Sequence, residues 1–152
     1  MPETMSVQEL IYNETAQITR QTDFGIGMQS VLSGAQEIPP EGARFDLGFE
    51  GELTGPKLRG KIAGTDYVLL RGDGVSKLHI HAVITTDDGE RIAFYGDGVA
   101  MVQPGSSDMQ VRENIALHTA SPKYSWVNRL QIWAIGQGDL STGKLTLKGY
   151  SA

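Results

Sequence analysis

Short segments in which apolar and polar residues alternate recur along this sequence, and turn signals separate them. Residues 77–85 are one such segment, and Gly72-Asp73-Gly74 separates it from the compact apolar segment at residues 67–71. Period-two alternation is typical of strands that bury one face, and closely spaced glycine and aspartate favour tight hairpin turns. Glycine makes up 19 of the 152 residues, well above the usual ~7%. The sequence therefore predicts an all-β protein that is rich in hairpins.

The alternating segments number eight or nine and are joined mostly by short turns. A run of hairpins is closed most simply as a barrel, because closure removes the exposed strand edges. We therefore predict a closed antiparallel β-barrel of about eight strands, with little helix, around a small-molecule cavity. Strands are expected at residues 10–22, 44–49, 58–62, 67–71, 77–85, 92–102, 111–119, 126–135 and 144–150, with a bulge or kink at residues 96–98 of the sixth.

Two segments fall outside this pattern. Residues 1–9 are polar and are expected to be flexible. Residues 25–43 are rich in glycine, serine and proline, and the adjacent Pro39 and Pro40 exclude a central strand. We expect a long loop there, lying over one end of the domain. Without a recognisable linker or repeat, residues 1–152 are predicted to form one domain.

Charge and composition exclude several classes of function. The formal net charge of −5 argues against binding to nucleic acid or to an anionic membrane surface. The absence of cysteine excludes disulfides and thiolate metal sites. The sequence shows neither a signal peptide nor an apolar run of the ~18 residues that span a bilayer. We expect a cytoplasmic protein whose partner is a small molecule.

Two histidines two positions apart form the first candidate site. His79 and His81 share one face of their predicted strand, whereas Leu78, Ile80 and Ala82 share the other. Imidazoles placed in this way could transfer protons in a pocket, ligate a metal, or simply face solvent. The spacing resembles the first cupin motif, but the further ligands of that motif are missing. We therefore predict no metal and no cofactor, and keep a cupin-like metal-dependent enzyme as an alternative.

Strand parity makes the orientation of these histidines conditional. An apolar strand face normally points inward, so His79 and His81 would reach a cavity only if another layer covered Leu78 and Ile80. A subunit interface would provide that layer, because exposed apolar patches often mark association surfaces. On this basis we predict a homodimer or a higher homo-oligomer.

Acidic residues beside apolar strands are the second candidate set. A carboxylate in a dry pocket is an effective general base, since burial raises its pKa. Asp66 and Glu50 each adjoin an apolar strand, whereas Asp73 lies in a turn, where aspartate is favoured for backbone hydrogen bonding. The candidate catalytic residues are therefore Asp66, His79 and His81.

Large side chains are concentrated in residues 124–133, which contain two tryptophans. Such a segment is either core or one wall of a cavity, where its polar members would fix the polar end of a ligand. The candidate substrate-binding residues are Arg71, Tyr67, Tyr95, Trp126, Asn128, Arg129 and Trp133.

Several short motifs, taken in order, resemble the domain-of-unknown-function family 3237 (DUF3237). They run from about residue 44 to the C-terminus and comprise Phe49-Glu50-Gly51, residues 55–60, Asp66-Tyr67, residues 70–74, residues 86–89 and residues 124–128. The resemblance implies an antiparallel barrel similar to the calycins and carries no general activity. The sequence departs from the family pattern at Tyr67, where many members have Trp, and at His79 and His81, where many have Asp and Arg.

Two classes of function remain open at this stage. The first is a cofactor-independent isomerase, cyclase, lyase or hydrolase, in which Asp66 and the two histidines move protons and Arg71 or Arg129 holds an oxygen. The second is a non-catalytic carrier or sensor of a small apolar ligand. The two differ in whether acidic and histidine side chains converge in the pocket, which fold analogy alone does not decide.

Overall fold

The computed structural model describes residues 9–102 and 106–151, which form a closed antiparallel barrel of eight strands. Each strand pairs with its neighbour in the chain, and β1 also pairs with β8 to close the barrel. The predicted fold class is therefore confirmed. The strands are β1 (Glu9–Asp23), β2 (Ala43–Pro56), β3 (Arg59–Leu70), β4 (Val75–Thr86), β5 (Arg91–Val102), β6 (Asp108–His118), β7 (Ile132–Asp139) and β8 (Lys144–Ser151).

The hairpin turns form where the glycine and aspartate signals predict them. Gly74 ends the β3–β4 turn with φ +86° and donates its backbone N–H to the carbonyl of Arg71 at 2.9 Å. Positive φ costs glycine little because it has no Cβ. Asp73 accepts the backbone N–H of Val75 at 3.1 Å, as expected for a turn aspartate.

Alternation along each strand fills the barrel interior. On β4, Leu78, Ile80, Ala82 and Ile84 are buried, whereas the residues that alternate with them are exposed. At one end of the barrel, Ile84 lies opposite Ile62 of β3 and Ile92 of β5, and all three are inaccessible to solvent. Burying a side chain of this size stabilises the fold by about 1.5–3 kcal/mol. Apolar side chains therefore fill this end of the barrel, and the cavity lies toward the opposite end.

Three details of the predicted strands are wrong. Residues 58–62 and 67–71 are not separate strands, because β3 runs unbroken from Arg59 to Leu70 and joins them. Residues 126–135 are not one strand, because a 3-10 helix, Pro122–Arg129, precedes β7. Pro122 favours the first helical position, and the Asn128 amide exchanges two 2.8 Å hydrogen bonds with the backbone of Thr119. Residues 96–98 do not form a bulge either, because β5 pairs in continuous register with both β4 and β6. A Cβ at Gly96 would lie 2.7 Å from Ile115 Cδ1, so a larger residue there would displace that side chain inside the barrel.

The segment between β1 and β2, predicted as a long loop, contains one short helix, α1 (Met28–Leu32). The predicted flexible residues 1–8, and residues 103–105 of a predicted turn, lie outside the described part of the chain. Across residues 9–102 and 106–151, the helices are too short to cross a bilayer.

Candidate functional site

A cavity opens at the end of the barrel opposite the packed isoleucines. Met28 and Leu32 of α1 contribute to its lining, so the helix lies at its mouth. The cavity has a volume of about 90 Å³ and continues into solvent at its open mouth. The walls are mainly apolar and include Phe45, Leu47, Phe49, Val68, Leu78, Ile80, Phe94, Val111 and Leu145.

Three carboxyl groups from three strands enter this apolar cavity. Glu14 comes from β1, Asp66 from β3 and Glu113 from β6. Each occupies an inward position of its strand, where the neighbouring inward residues are apolar. Glu14 is 5% exposed and Glu113 8% exposed, and Asp66 is half-buried. The carboxyl groups are therefore largely removed from water.

Burial raises the pKa values of the three acids by different amounts. It raises the pKa of Glu14 to about 7. It also raises the pKa of Glu113 well above its usual range, and the charges of Glu14 and Asp66 add to that increase. The pKa of Asp66 rises only to about 6, because the backbone N–H and the charge of His79 oppose the effect of burial. The acids of the cavity thus differ in how strongly they hold a proton.

The Asp66 carboxylate is held by the backbone of the adjacent strand. Its Oδ1 accepts the N–H of His79 at 3.0 Å. Regular pairing of β3 with β4 pauses here, between the pairs Asp66–Ile80 and Leu69–Lys77. The side chain therefore takes the place of a backbone acceptor, which fixes its position at the cavity wall.

A buried tyrosine lies close to the acids. Tyr12 is inaccessible to solvent, and burial together with the charges of Glu14 and Glu113 raises its pKa well above the usual value. A Cβ at Gly149 would approach the Tyr12 ring to 2.4 Å, so the ring lies against the bare backbone of β8. Within the described residues, neither the Tyr12 hydroxyl nor Glu14 Oε1 has a hydrogen-bond partner.

Among the described residues that line the cavity, no basic side chain balances the three acids. Of the described residues that line it, none is Lys, Arg or His, and the one other polar member is Ser76. In the same described part of the chain, no three His, Asp or Glu side chains are grouped so as to hold a metal ion.

The expectation that His79 and His81 reach the cavity is wrong. Both side chains are exposed on the outer face of β4, with Nε2 atoms 3.2 Å apart. Leu78 and Ile80 take the inward positions, because the apolar face of the strand is the one that gains by burial. Because the histidines face outward and Leu78 and Ile80 are buried inside the barrel, no subunit interface is needed to cover those apolar residues. The oligomeric state stays a prediction.

The candidate substrate-binding residues also lie away from the cavity. Tyr67 and Tyr95 flank the histidines on the outer surface, and Trp133 is 39% exposed on the outer face of β7. Arg71 forms an exposed ion pair with Asp73 in the β3–β4 turn.

The remaining candidates belong to the 3-10 helix between β6 and β7. Trp126 packs against the core from this helix, Asn128 braces Thr119, and Arg129 is exposed. Of all the sequence-predicted site residues, the structure places Asp66 alone in the cavity wall, and its catalytic role stays a prediction.

Sequence reasoning missed Glu14 and Glu113. A signal for each was present, because both interrupt the apolar face of an alternating strand. Glu14 shares its face with Tyr12 and Ala16, and Glu113 shares its face with Val111 and Ile115. A carboxylate among inward apolar residues is costly to bury, so its presence in such a row indicates a site.

The fold has solved relatives at low sequence identity. A protein of unknown function from Clostridium acetobutylicum is 22% identical, with a TM-score of 0.76 over 95% of this chain and 97% of its own. A β-barrel-like protein from Acinetobacter baumannii is 18% identical, with a TM-score of 0.74 over 99% of both chains. An enzyme from Penicillium herquei is 17% identical, with a TM-score of 0.62 over 99% of both chains.

Sequence comparison identifies the family. Among curated proteins, no sequence matches this chain. Residues 41–151, which include β2 to β8 with Asp66 and Glu113, match the family described as protein of unknown function (DUF3237). Glu14, on β1, precedes the matched segment. The chain therefore belongs to the DUF3237 family, as the order of its short motifs had indicated.

Proposed function

We propose that this protein is a cofactor-independent acid–base catalyst, an isomerase, cyclase or lyase acting on a small, mostly apolar molecule. The observation that carries the proposal is the convergence of Glu14, Asp66 and Glu113 in one apolar cavity. A passive apolar container would gain nothing from buried carboxyl groups, since each costs several kcal/mol to desolvate when ionised. Proton transfer is the chemistry that carboxyl groups in such surroundings perform well.

The unequal environments of two acids suggest their roles. Asp66 is ionised near neutral pH, because the His79 N–H stabilises its charged form, and it would act as the base. Burial raises the pKa of Glu113 well above its usual range, so Glu113 holds its proton more strongly and would act as the acid. Carboxyl groups whose surroundings separate their pKa values in this way are the usual arrangement for paired acid–base catalysis.

The proposed reaction conserves atoms and charge. Asp66 takes a proton from a carbon or oxygen of the substrate, while Glu113 gives its proton to a second atom, an oxygen or a carbon. In an isomerisation or ring closure the product has the composition of the substrate, and the proton returns from Asp66 to Glu113 through solvent at the cavity mouth. The apolar walls strengthen the electrostatic interactions of both groups by excluding water.

A relative with the same fold lends support at the level of class. The Penicillium herquei protein, whose barrel superposes with a TM-score of 0.62, is an enzyme. At 17% identity this likeness concerns the fold. The assignment of catalysis to the present chain therefore depends on its own carboxyl groups.

A base in an apolar pocket can be detected without knowing the natural substrate. Nitrobenzisoxazole is a neutral aromatic probe that a carboxylate opens by removing its C–H proton as the N–O bond breaks, which releases a coloured cyanonitrophenolate. We expect saturable turnover by the wild-type protein, and a rate reduced about a hundredfold or more in Asp66→Asn. Asp97→Asn, an exposed aspartate on the outer face of β5, is the matched control and should keep the wild-type rate.

The same experiment separates catalysis from carriage. Binding of the probe, measured by calorimetry, with a rate no higher in the wild type than in Asp66→Asn, would overturn the proposal and favour a carrier or sensor of apolar ligands. Equal losses in Asp66→Asn and Asp97→Asn would also overturn it, because the effect would then have nothing to do with the cavity.

A further inference from the structure

We infer that the cavity recognises an apolar molecule bearing one protonated amine, and that Glu14 is the residue that binds the ammonium group. The inference rests on the cavity of the proposed function, but it concerns the acid that the proposed proton transfers leave unused. It names the class of ligand by charge, which the acid–base proposal leaves open.

Glu14 is a buried acceptor that lacks a donor. Its side chain is 5% exposed and lines the cavity, and its Oε1 has no hydrogen-bond partner among the described residues. A buried acceptor without a partner costs about 1–3 kcal/mol, and more when it is charged. Such an atom, on a side chain that lines the cavity, calls for a donor supplied by the ligand.

The charge balance of the cavity decides which donor fits best. Asp66 and Glu113 face the same space as Glu14, and the described lining residues include no basic side chain. An anionic ligand would meet three acids with nothing to offset the repulsion. A cation relieves the mutual repulsion of the acids and offsets the cost of their desolvation at the same time.

An ammonium group also suits a buried carboxylate better than a neutral donor does. It presents three donors, whereas a hydroxyl presents one, and its hydrogen bonds to carboxylates are roughly twice as strong as neutral ones. The apolar remainder of the ligand would lie along the walls, which include Phe45, Phe49 and Phe94. Aromatic faces attract cations as well, so the walls and the acids favour the same charge.

Three probes that share one ring system test this selectivity. We would measure the affinities of naphthylmethylamine, naphthylmethanol and naphthoate by calorimetry at neutral pH, with the smaller benzylamine, benzyl alcohol and benzoate as a second set. In at least one set the amine should bind about tenfold tighter than the alcohol, a difference of about 1.4 kcal/mol, and the carboxylate should not bind detectably.

Variants locate the effect at Glu14. Glu14→Gln keeps the shape of the side chain and should cost the amine about tenfold in affinity while leaving the alcohol nearly unchanged. Glu50→Gln, an exposed glutamate on the outer face of β2, should change neither. An alcohol that binds as tightly as the amine, a carboxylate that binds, or a failure of both probe sets would overturn the inference.

These outcomes are separate from those of the catalytic test, because nitrobenzisoxazole is neutral and its reaction reports turnover. Turnover of that probe without amine selectivity would leave the proposed function standing and remove the inference. Amine selectivity without turnover would support the inference about Glu14 and remove the proposed catalytic function.

Discussion

The Oδ1 atom of Asp66 accepts the backbone N–H of His79 at 3.0 Å, so a residue whose ring faces solvent fixes the carboxylate of the cavity through its main chain. This bond favours the ionised form of Asp66 and opposes the effect of burial on its pKa. It accounts for the difference between Asp66 and Glu113, whose pKa burial raises without a compensating donor. The difference in pKa between the two acids is thus caused in part by an interruption of the β3–β4 pairing, which leaves the His79 N–H free to bind Asp66.

The first prediction is the pH dependence of turnover. A base must be ionised to accept a proton, so the rate with nitrobenzisoxazole should rise with pH and level off above about 6, the pKa of Asp66. Initial rates at saturating probe across this range give the midpoint. Asp66→Asn should lack the midpoint altogether, and a rate that falls as pH rises through the same range would contradict the assignment of Asp66 as base.

The second prediction concerns stability and Glu14. Burial raises the pKa of Glu14 from 4.5 to about 7, so between these values the unfolded chain loses a proton that the folded chain keeps. The wild-type free energy of unfolding should therefore fall as pH rises through this window, relative to Glu14→Gln. Above about pH 7 the variant should be more stable by about 3 kcal/mol, and the difference should vanish near pH 4.

Urea unfolding of both proteins across the pH range measures this difference. Comparing variant with wild type removes the contributions of groups that do not interact with Glu14, such as the exposed Asp88, whose pKa is lowered by its bonds to Lys123, Thr86 and Tyr124. A difference between the two proteins that stays constant with pH would show that Glu14 keeps its ordinary pKa in the folded state.

The third prediction is that the outer histidines are dispensable for cavity chemistry. His79 and His81 contact each other and the exposed Tyr67 and Tyr95. The double variant His79→Ala/His81→Ala should lose about 1 kcal/mol of stability or less and keep the wild-type rate, because the backbone donor to Asp66 remains. Thermal unfolding and probe turnover check the two halves. A large loss of rate in a folded double variant would contradict this prediction and show that the histidines take part in the reaction.

The fourth prediction tests the packing beneath the acids. The Tyr12 ring occupies the space that a side chain at position 149 would need. Gly149→Ala should therefore cost about 1–3 kcal/mol of stability through overpacking. Combined with Tyr12→Ala, the added methyl group should cost little or even stabilise, so a double-mutant cycle by urea unfolding should give a coupling energy of at least about 0.5 kcal/mol. Additive costs would show that the two residues do not meet.

Much of the fold followed from local pattern. The turn at Asp73 and Gly74, and the alternation on β4, depend on interactions between residues close in the chain, so the sequence alone predicts them. Closure of the barrel was also predictable, because a run of hairpins leaves few other ways to protect its edges. The 3-10 helix was missed, since its anchor is the tertiary pairing of the Asn128 amide with Thr119.

The candidate site was mostly beyond the reach of local pattern. The sequence identified Asp66 from its position beside an apolar strand. It gave His79 and His81 equal weight, because the sequence did not show which face of their strand points into the barrel. Glu14 and Glu113 are 99 positions apart in the chain and meet only because β1 and β6 bound the same barrel interior. Which residue types alternate is a property of the sequence. Which alternating face encloses the cavity was decided by tertiary structure, because the free energy of burying apolar surface selects the inward face only when all eight strands close together.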